Sequence, residues 1–148
     1  MQKFRFSLNT VLAYKQQIED SLQSEYSAAL SRVREQEETL EALRQAYRDC
    51  GAEYTAACGA GLAILEALAY QGRLRAFERE IEEGEKQLKQ LQEQAEEKRQ
   101  AVVEARKETA SLEKLKEKKL GEYNKAFSKS EELAVEEFIS AVRARQQA

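Results

Sequence analysis

The side chains able to do chemistry are few and gathered. Both cysteines, Cys50 and Cys58, and three of the six glycines fall in the stretch CGAEYTAACGAGL, residues 50–62. Thiols could hold a metal or run a redox couple, and a glycine loop could cradle a phosphate. A structural zinc site needs four ligands, and the chain has two cysteines and no histidine to complete one. Two cysteines eight apart on a helix lie about 12 Å apart along its axis, beyond disulfide reach. The GAGL run lacks the GK[ST] ending of a phosphate loop and has no strand before it. The absence of histidine also removes the commonest general base and proton shuttle. Neighbouring carboxylates such as Glu82 with Glu83 and Glu96 with Glu97 alternate with Lys and Arg as helix-supporting charges. An acid–base pair needs a pocket to shift its pKa, and such faces offer none. The basic run KLKEKK at 114–119 is interleaved with Glu113, Glu117 and Glu122 and lacks an aromatic platform, which argues against nucleic acid. The expectation is a chain with no catalytic residues, no cofactor and no metal.

The elements that carry these residues are long helices. Of 148 residues 34% are charged, and proline and tryptophan are absent, the composition of a coiled coil and, by length, of a single domain. One row of positions at seven-residue spacing is Leu12, Glu19, Tyr26, Val33, Leu40, Tyr47 and Tyr54. A second is Leu8, Lys15, Leu22, Ala29, Gln36, Leu43 and Cys50. The rows alternate by three and four, as coiled-coil a and d positions do. They resume with Leu74, Ile81, Leu88, Ala95, Val102 and Thr109 beside Phe77, Gly84, Leu91, Lys98, Ala105 and Leu112. A reversal near residue 60 makes facing residues sum to about 120, so that Leu40 meets Ile81 and Ala29 meets Leu91. The expected fold is all-α: an antiparallel two-helix coiled-coil hairpin with helices at about 5–57 and 63–145 and a turn at about 58–62. A homodimer, parallel or antiparallel, satisfies the same rows.

The seam is imperfect in three layers, where Lys98 faces Leu22, Glu19 faces Val102 and Lys15 faces Ala105. These side chains are expected to snorkel past the seam, Glu19 being placed to pair with Lys98. Gln36 opposite Gly84 makes a thin polar layer. Past Leu112 the first helix runs out, and the second is expected to overhang it by roughly 45 Å with a shifted apolar stripe of Leu115, Leu120, Tyr123, Phe127, Leu133, Phe138 and Val142. An uncovered stripe asks for a partner. Tyr47, Tyr54, Tyr70 and Phe77 gather near the turn, and Tyr54 and Tyr70 are the ones placed to face outward.

The net charge of -3 hides a local polarity. Residues 1–15 carry Lys3, Arg5 and Lys15 with no acid, whereas residues 35–53 carry six acids against Arg44 and Arg48. No run of 18 apolar residues exists, so direct membrane insertion is not expected. The N-terminal MQKFRFSLNTVL is followed by no apolar signal region. A reducing cytoplasm is the compartment these features fit.

Three segments together carry a family likeness: FRFSLNTVLAYKQQIEDSLQSEYSAAL, a central LEALAYQGRLRAFEREIEEGEKQL, and the distal LEKLKEKKLGEYNKAFSKSEELAVEEF. In this order they resemble the FliJ family of flagellar export proteins over nearly the whole chain. The resemblance implies a cytoplasmic component of the flagellar type III export apparatus, lying against the inner-membrane face of the flagellar base. It implies a stalk-like coiled coil that enters the hexameric export ATPase ring, meets the cytoplasmic part of the export gate membrane protein, and escorts export substrate chaperones. On this chain the ring-facing positions would be Phe4, Phe6, Leu8, Leu12, Leu120, Tyr123, Phe127 and Phe138. The gate-facing positions would be Leu43, Tyr47, Tyr70, Arg73, Phe77, Glu80 and Gly84, with Tyr54 beside them. The alternatives are a self-assembling coiled-coil spacer, or the equivalent stalk of a virulence secretion system or another rotary ATPase.

Overall fold

The structure, a computed structural model, describes residues 2–147. It contains helix α1, Asn9–Ala60, of 52 residues, and helix α2, Ile64–Gln147, of 84. No proline interrupts either, and the two seven-residue rows give each helix one apolar face. The fold is the expected all-α hairpin, its two helices packed against each other. The turn is only residues 61–63. Gly59 stays inside α1, and Gly61 alone takes a positive φ, 93°, a conformation that costs a side chain but not glycine. Its N–H bonds the Cys58 carbonyl at 3.4 Å and so closes α1. Glu66 stands in the first turn of α2 and Arg145 in its last, each of the sign that opposes the helix dipole there.

The chain divides into two compact units: Ser21–Val102, and Met1–Asp20 with Val103–Ala148. In the first, Leu40 is wholly buried, and Ala29, Cys50, Gly84, Ala95 and Val102 are buried around the same seam. Tyr26, Val33, Leu43, Tyr47, Phe77, Ile81, Leu88 and Leu91 are half-buried, as expected where two helices have no third layer to close over them. The thin layer at Gln36 and Gly84 is filled from the other side. A Cβ built on Gly84 would stand 2.6 Å from Leu40 Cδ2, so the missing side chain is the hole that Leu40 occupies. Gln36 Nε2 donates to the Gly84 carbonyl at 3.0 Å, which satisfies the amide at that layer.

In the second unit Phe6, Leu12, Ala105 and Thr109 are buried. The Thr109 hydroxyl donates to the Ala105 carbonyl of its own helix at 3.0 Å, so its burial leaves no orphan. Residues 2–8 precede α1 rather than extending it, contrary to the expected helix start near residue 5. The Asn9 N–H bonds the Phe6 carbonyl at 3.1 Å in a tight turn, and the residues before it leave the helical path. An extended strap covers about 3.3 Å per residue against 1.5 Å in a helix. It therefore reaches farther along α2 than the seven-residue rows foretell: the Tyr123 hydroxyl donates to the Gln2 carbonyl at 2.7 Å, and the Phe4 ring lies 5.5 Å from that of Tyr123. The uncovered part of α2 starts past Tyr123, not past Leu112, and measures about 36 Å.

The charged layers resolve differently from the expectation. Lys98 pairs with Glu25 at 3.1 Å, not with Glu19, and Glu19 pairs with Arg106 at 3.5 Å. Lys15 reaches Glu108 at 2.8 Å. Snorkelling carries each head group past the seam, where the nearest opposite charge on the flank captures it. These pairs are solvent-facing, so water and salt screen them and they add little to stability.

Candidate functional site

Two places in the molecule carry apolar side chains that the fold does not cover. One is the last part of α2. Tyr123 is half-buried under the strap, and its ring continues onto Phe127 with centroids 6.2 Å apart, a short aromatic ladder from Phe4 to Phe127. Beyond it, Phe127, Val135, Phe138, Ile139 and Val142 fall at helical spacing on one face. All five are exposed, Phe138 to 71%, and every described residue from 124 to 147 is solvent-facing. Glu131 interrupts the stripe. Leu133, six residues from Phe127, stands about 240° round the helix and does not belong to it.

Of the eight residues expected to face a ring, the structure leaves Leu120, Phe127 and Phe138 exposed. Phe6 and Leu12 are buried, Leu8 is half-buried, and the Phe4 and Tyr123 rings pack against each other at a tilt of 50°. Lys3 and Arg5 lie in the strap on either side of Phe4, and Lys116 donates to the Asn9 side chain at 3.2 Å, so the surroundings of the ladder are basic.

The second place is the turn end. Tyr54 and Tyr70, one on each helix, pack with centroids 5.4 Å apart, so both are half-buried rather than turned outward. The Arg73 guanidinium sits 4.5 Å over the Tyr70 ring, and Gln71 Nε2 donates to the Tyr54 hydroxyl at 3.3 Å. Tyr47 donates its hydroxyl to Glu78 at 2.8 Å, and this bond, with the charge of the carboxylate, raises the phenol pKa above its ordinary value. Leu43 and Phe77 are half-buried and Gly84 is buried beneath Leu40; among the expected gate-facing residues only Arg73 and Glu80 are exposed. What the periodicity reading passed over is Ile64, Leu65 and Leu68, exposed to 80%, 81% and 56%. Their signal was present: Ala67, Tyr70 and Leu74 continue the seam at three and four, and residues 64, 65 and 68 fall off it.

Neither place resembles a catalytic centre. No group of three His, Cys, Asp or Glu among the described residues could hold a metal. Cys50 is buried in the seam and Cys58 is exposed, and both are free thiols. Among the described residues no helix is long and apolar enough to cross a membrane. The arrangement can bind through apolar surface.

No curated protein and no solved structure matches the chain. The family model described as Flagellar FliJ protein matches residues 4–148, which take in the strap, the seam and the uncovered end of α2, and the chain belongs to this family of flagellar export proteins.

Proposed function

We propose that the protein is a non-enzymatic, stalk-like coupling component of flagellar type III export. It acts in the cytoplasm at the membrane base of the flagellum, where one end enters the hexameric export ATPase ring and the turn end meets the export gate. It also escorts substrate chaperones. The observation that carries this reading is the uncovered apolar stripe of α2, Phe127 to Val142, in a chain of this family. A helix that sets five large apolar side chains on one exposed face gains by burying them, at about 25 cal/mol per Å2. Self-pairing of this stripe with an antiparallel second copy is opposed by charge, because Lys125 and Lys129 at one end meet Arg143 and Arg145 at the other. A ring lumen with apolar lining meets the requirement without that repulsion. The coupling is mechanical and allosteric: the partner hydrolyses the nucleotide, and this chain stabilises one arrangement of the ring over another.

The test is the rate of the export ATPase with the full chain and with a chain ending at Tyr123, which keeps the strap contact and every seam layer. Stimulation by the full chain and none by the shortened one is expected. Equal stimulation by both would remove the stripe from the mechanism.

A further inference from the structure

The run KFRFSL, residues 3–8, alternates in the structure as it does in sequence: Phe4, Phe6 and Leu8 are covered, while Lys3, Arg5 and Ser7 are exposed. A period of two belongs to an extended chain. In a helix Phe4 and Phe6 would stand about 200° apart, so only the extended path keeps the three apolar side chains on one face. The strap is therefore an amphipathic segment with an inner and an outer side.

It is held unevenly. Phe6 is buried, and its carbonyl accepts from the Asn9 N–H in the turn that starts α1. Before Phe6 the hold on α2 is the Tyr123 hydroxyl on the Gln2 carbonyl and the tilted contact of the Phe4 and Tyr123 rings. Among the described residues no backbone–backbone hydrogen bond fixes residues 2–5. Clefts of about 630 and 370 Å3 open on the two sides of Phe4, one lined by Gln2, Lys3 and Tyr123 and the other by Phe6, Asn9 and Lys116. Residues 2–5 are thus a flap tethered at Phe6, and few groups close it. What the flap touches is the beginning of the apolar stripe. Tyr123, Phe127 and Phe138 lie within about 60° of one another round the helix, and the Phe4 ring sits on the first of them.

We infer that residues 2–5 are an intramolecular cover over the first part of the stripe, released when another apolar surface takes Tyr123. Opening lengthens the free stripe by one turn, about 6 Å, from Phe127 back to Tyr123. The closed flap competes with whatever encloses that face, so it lowers the apparent affinity of the stripe by the fraction of chains that stand open. The inference deepens the stalk reading by naming a control on the same surface, and it rests on that reading only for the identity of the partner. A strap that merely braced the helices, or that itself met the partner through Phe4, would act with the opposite sign: its loss would weaken binding.

The experiment places the photo-reactive amino acid p-benzoylphenylalanine at Phe4 of the full chain, irradiates it alone and with the purified export ATPase, and maps the links by mass spectrometry. Alone, the expected link is within the chain, to residues 119–127 of α2. With saturating ATPase that yield should fall at least about fivefold. Phe4→Ala should raise the fluorescence of the dye anilinonaphthalene sulfonate, a probe of exposed apolar surface that needs no partner, at least about twofold. The same variant should lower the concentration of chain that gives half-maximal ATPase stimulation at least about threefold, with its helical circular dichroism unchanged. No internal link, a link that survives the ATPase, no rise in dye fluorescence, or a half-maximal concentration that is unchanged or raised would each overturn the inference. A full chain that leaves the ATPase rate unaltered sinks the stalk reading alone, and the link and the dye in the free chain then decide the flap.

Discussion

Leu40 and Phe138 both sit on an apolar face of a long helix, yet Leu40 has no exposed surface and Phe138 is 71% exposed. The seam of residues 21–102 and the last turns of α2 both set apolar residues on one helical face, and what separates them is the second helix. The comparison teaches that a seven-residue row specifies which face of a helix is apolar but not what lies against it. In the seam the cover is intramolecular. At the end of α2 it is left to something else, and a partner's contribution shows there as exposure.

That contrast can be broken by substitution, and the largest effect belongs to the seam. Leu40→Ala removes a wholly buried side chain and should cost about 2–5 kcal/mol in chemical denaturation. A cost below about 1 kcal/mol would mean that the layer is looser than its burial indicates. The next effect tests the hole itself. Gly84→Ala alone puts a methyl group against Leu40, whereas in the double variant with Leu40→Ala the new methyl partly fills the cavity. The two changes should be coupled by about 1 kcal/mol, and additive effects would show that Leu40 and Gly84 do not form one knob and hole.

A smaller effect concerns pH. Tyr47 is held protonated by its bond to the Glu78 carboxylate, so the folded protein keeps that proton more tightly than the unfolded chain does. The contribution is complete below the unfolded phenol value, near pH 10, and is lost as pH rises through the folded one. Lys15 runs in the same direction, because the hydrogen bond and charge of Glu108 raise its pKa. Glu96 runs oppositely: its bond to Arg99 lowers the pKa, so what it adds is present above the unfolded value and lost on acidification. Tyr47→Phe should flatten part of the alkaline fall in melting temperature, and an identical fall in both proteins would rule this bond out as its source. The smallest effect is expected at the other end of the comparison. Phe138→Ala should leave stability within about 0.5 kcal/mol while weakening partner binding. A large loss of stability would mean that this stripe is covered within the chain after all.

Much of this architecture was legible in the residues. Leu40, Ala29, Val102 and Ala105 lie where the rows put them, because a helix repeats its face every three to four residues and only one face can be buried in a pair. The reversal was legible too, though not its closing residue: Gly59 and Gly61 read alike in sequence, and the backbone left only Gly61 with a positive φ. Tyr54 and Tyr70 were expected to point outward. They turn toward each other because rings on two helices this close gain more from contact than from water.

By itself, then, the sequence determined the helices and their apolar faces, which follow from local geometry and a period of seven, while the choice of an antiparallel pair within one chain came from the structure. Only the tertiary structure decided the remainder. Glu19 went to Arg106 and Lys98 to Glu25 because the reach of a long side chain, not its heptad letter, selects its partner. Residues 2–8 abandoned the helix and reached Tyr123, so the exposed end of α2 is shorter than the period foretold. The exposure of Ile64, Leu65 and Leu68 likewise depends on where a tight turn leaves the first residues of α2, which is a property of two helices meeting and of neither alone.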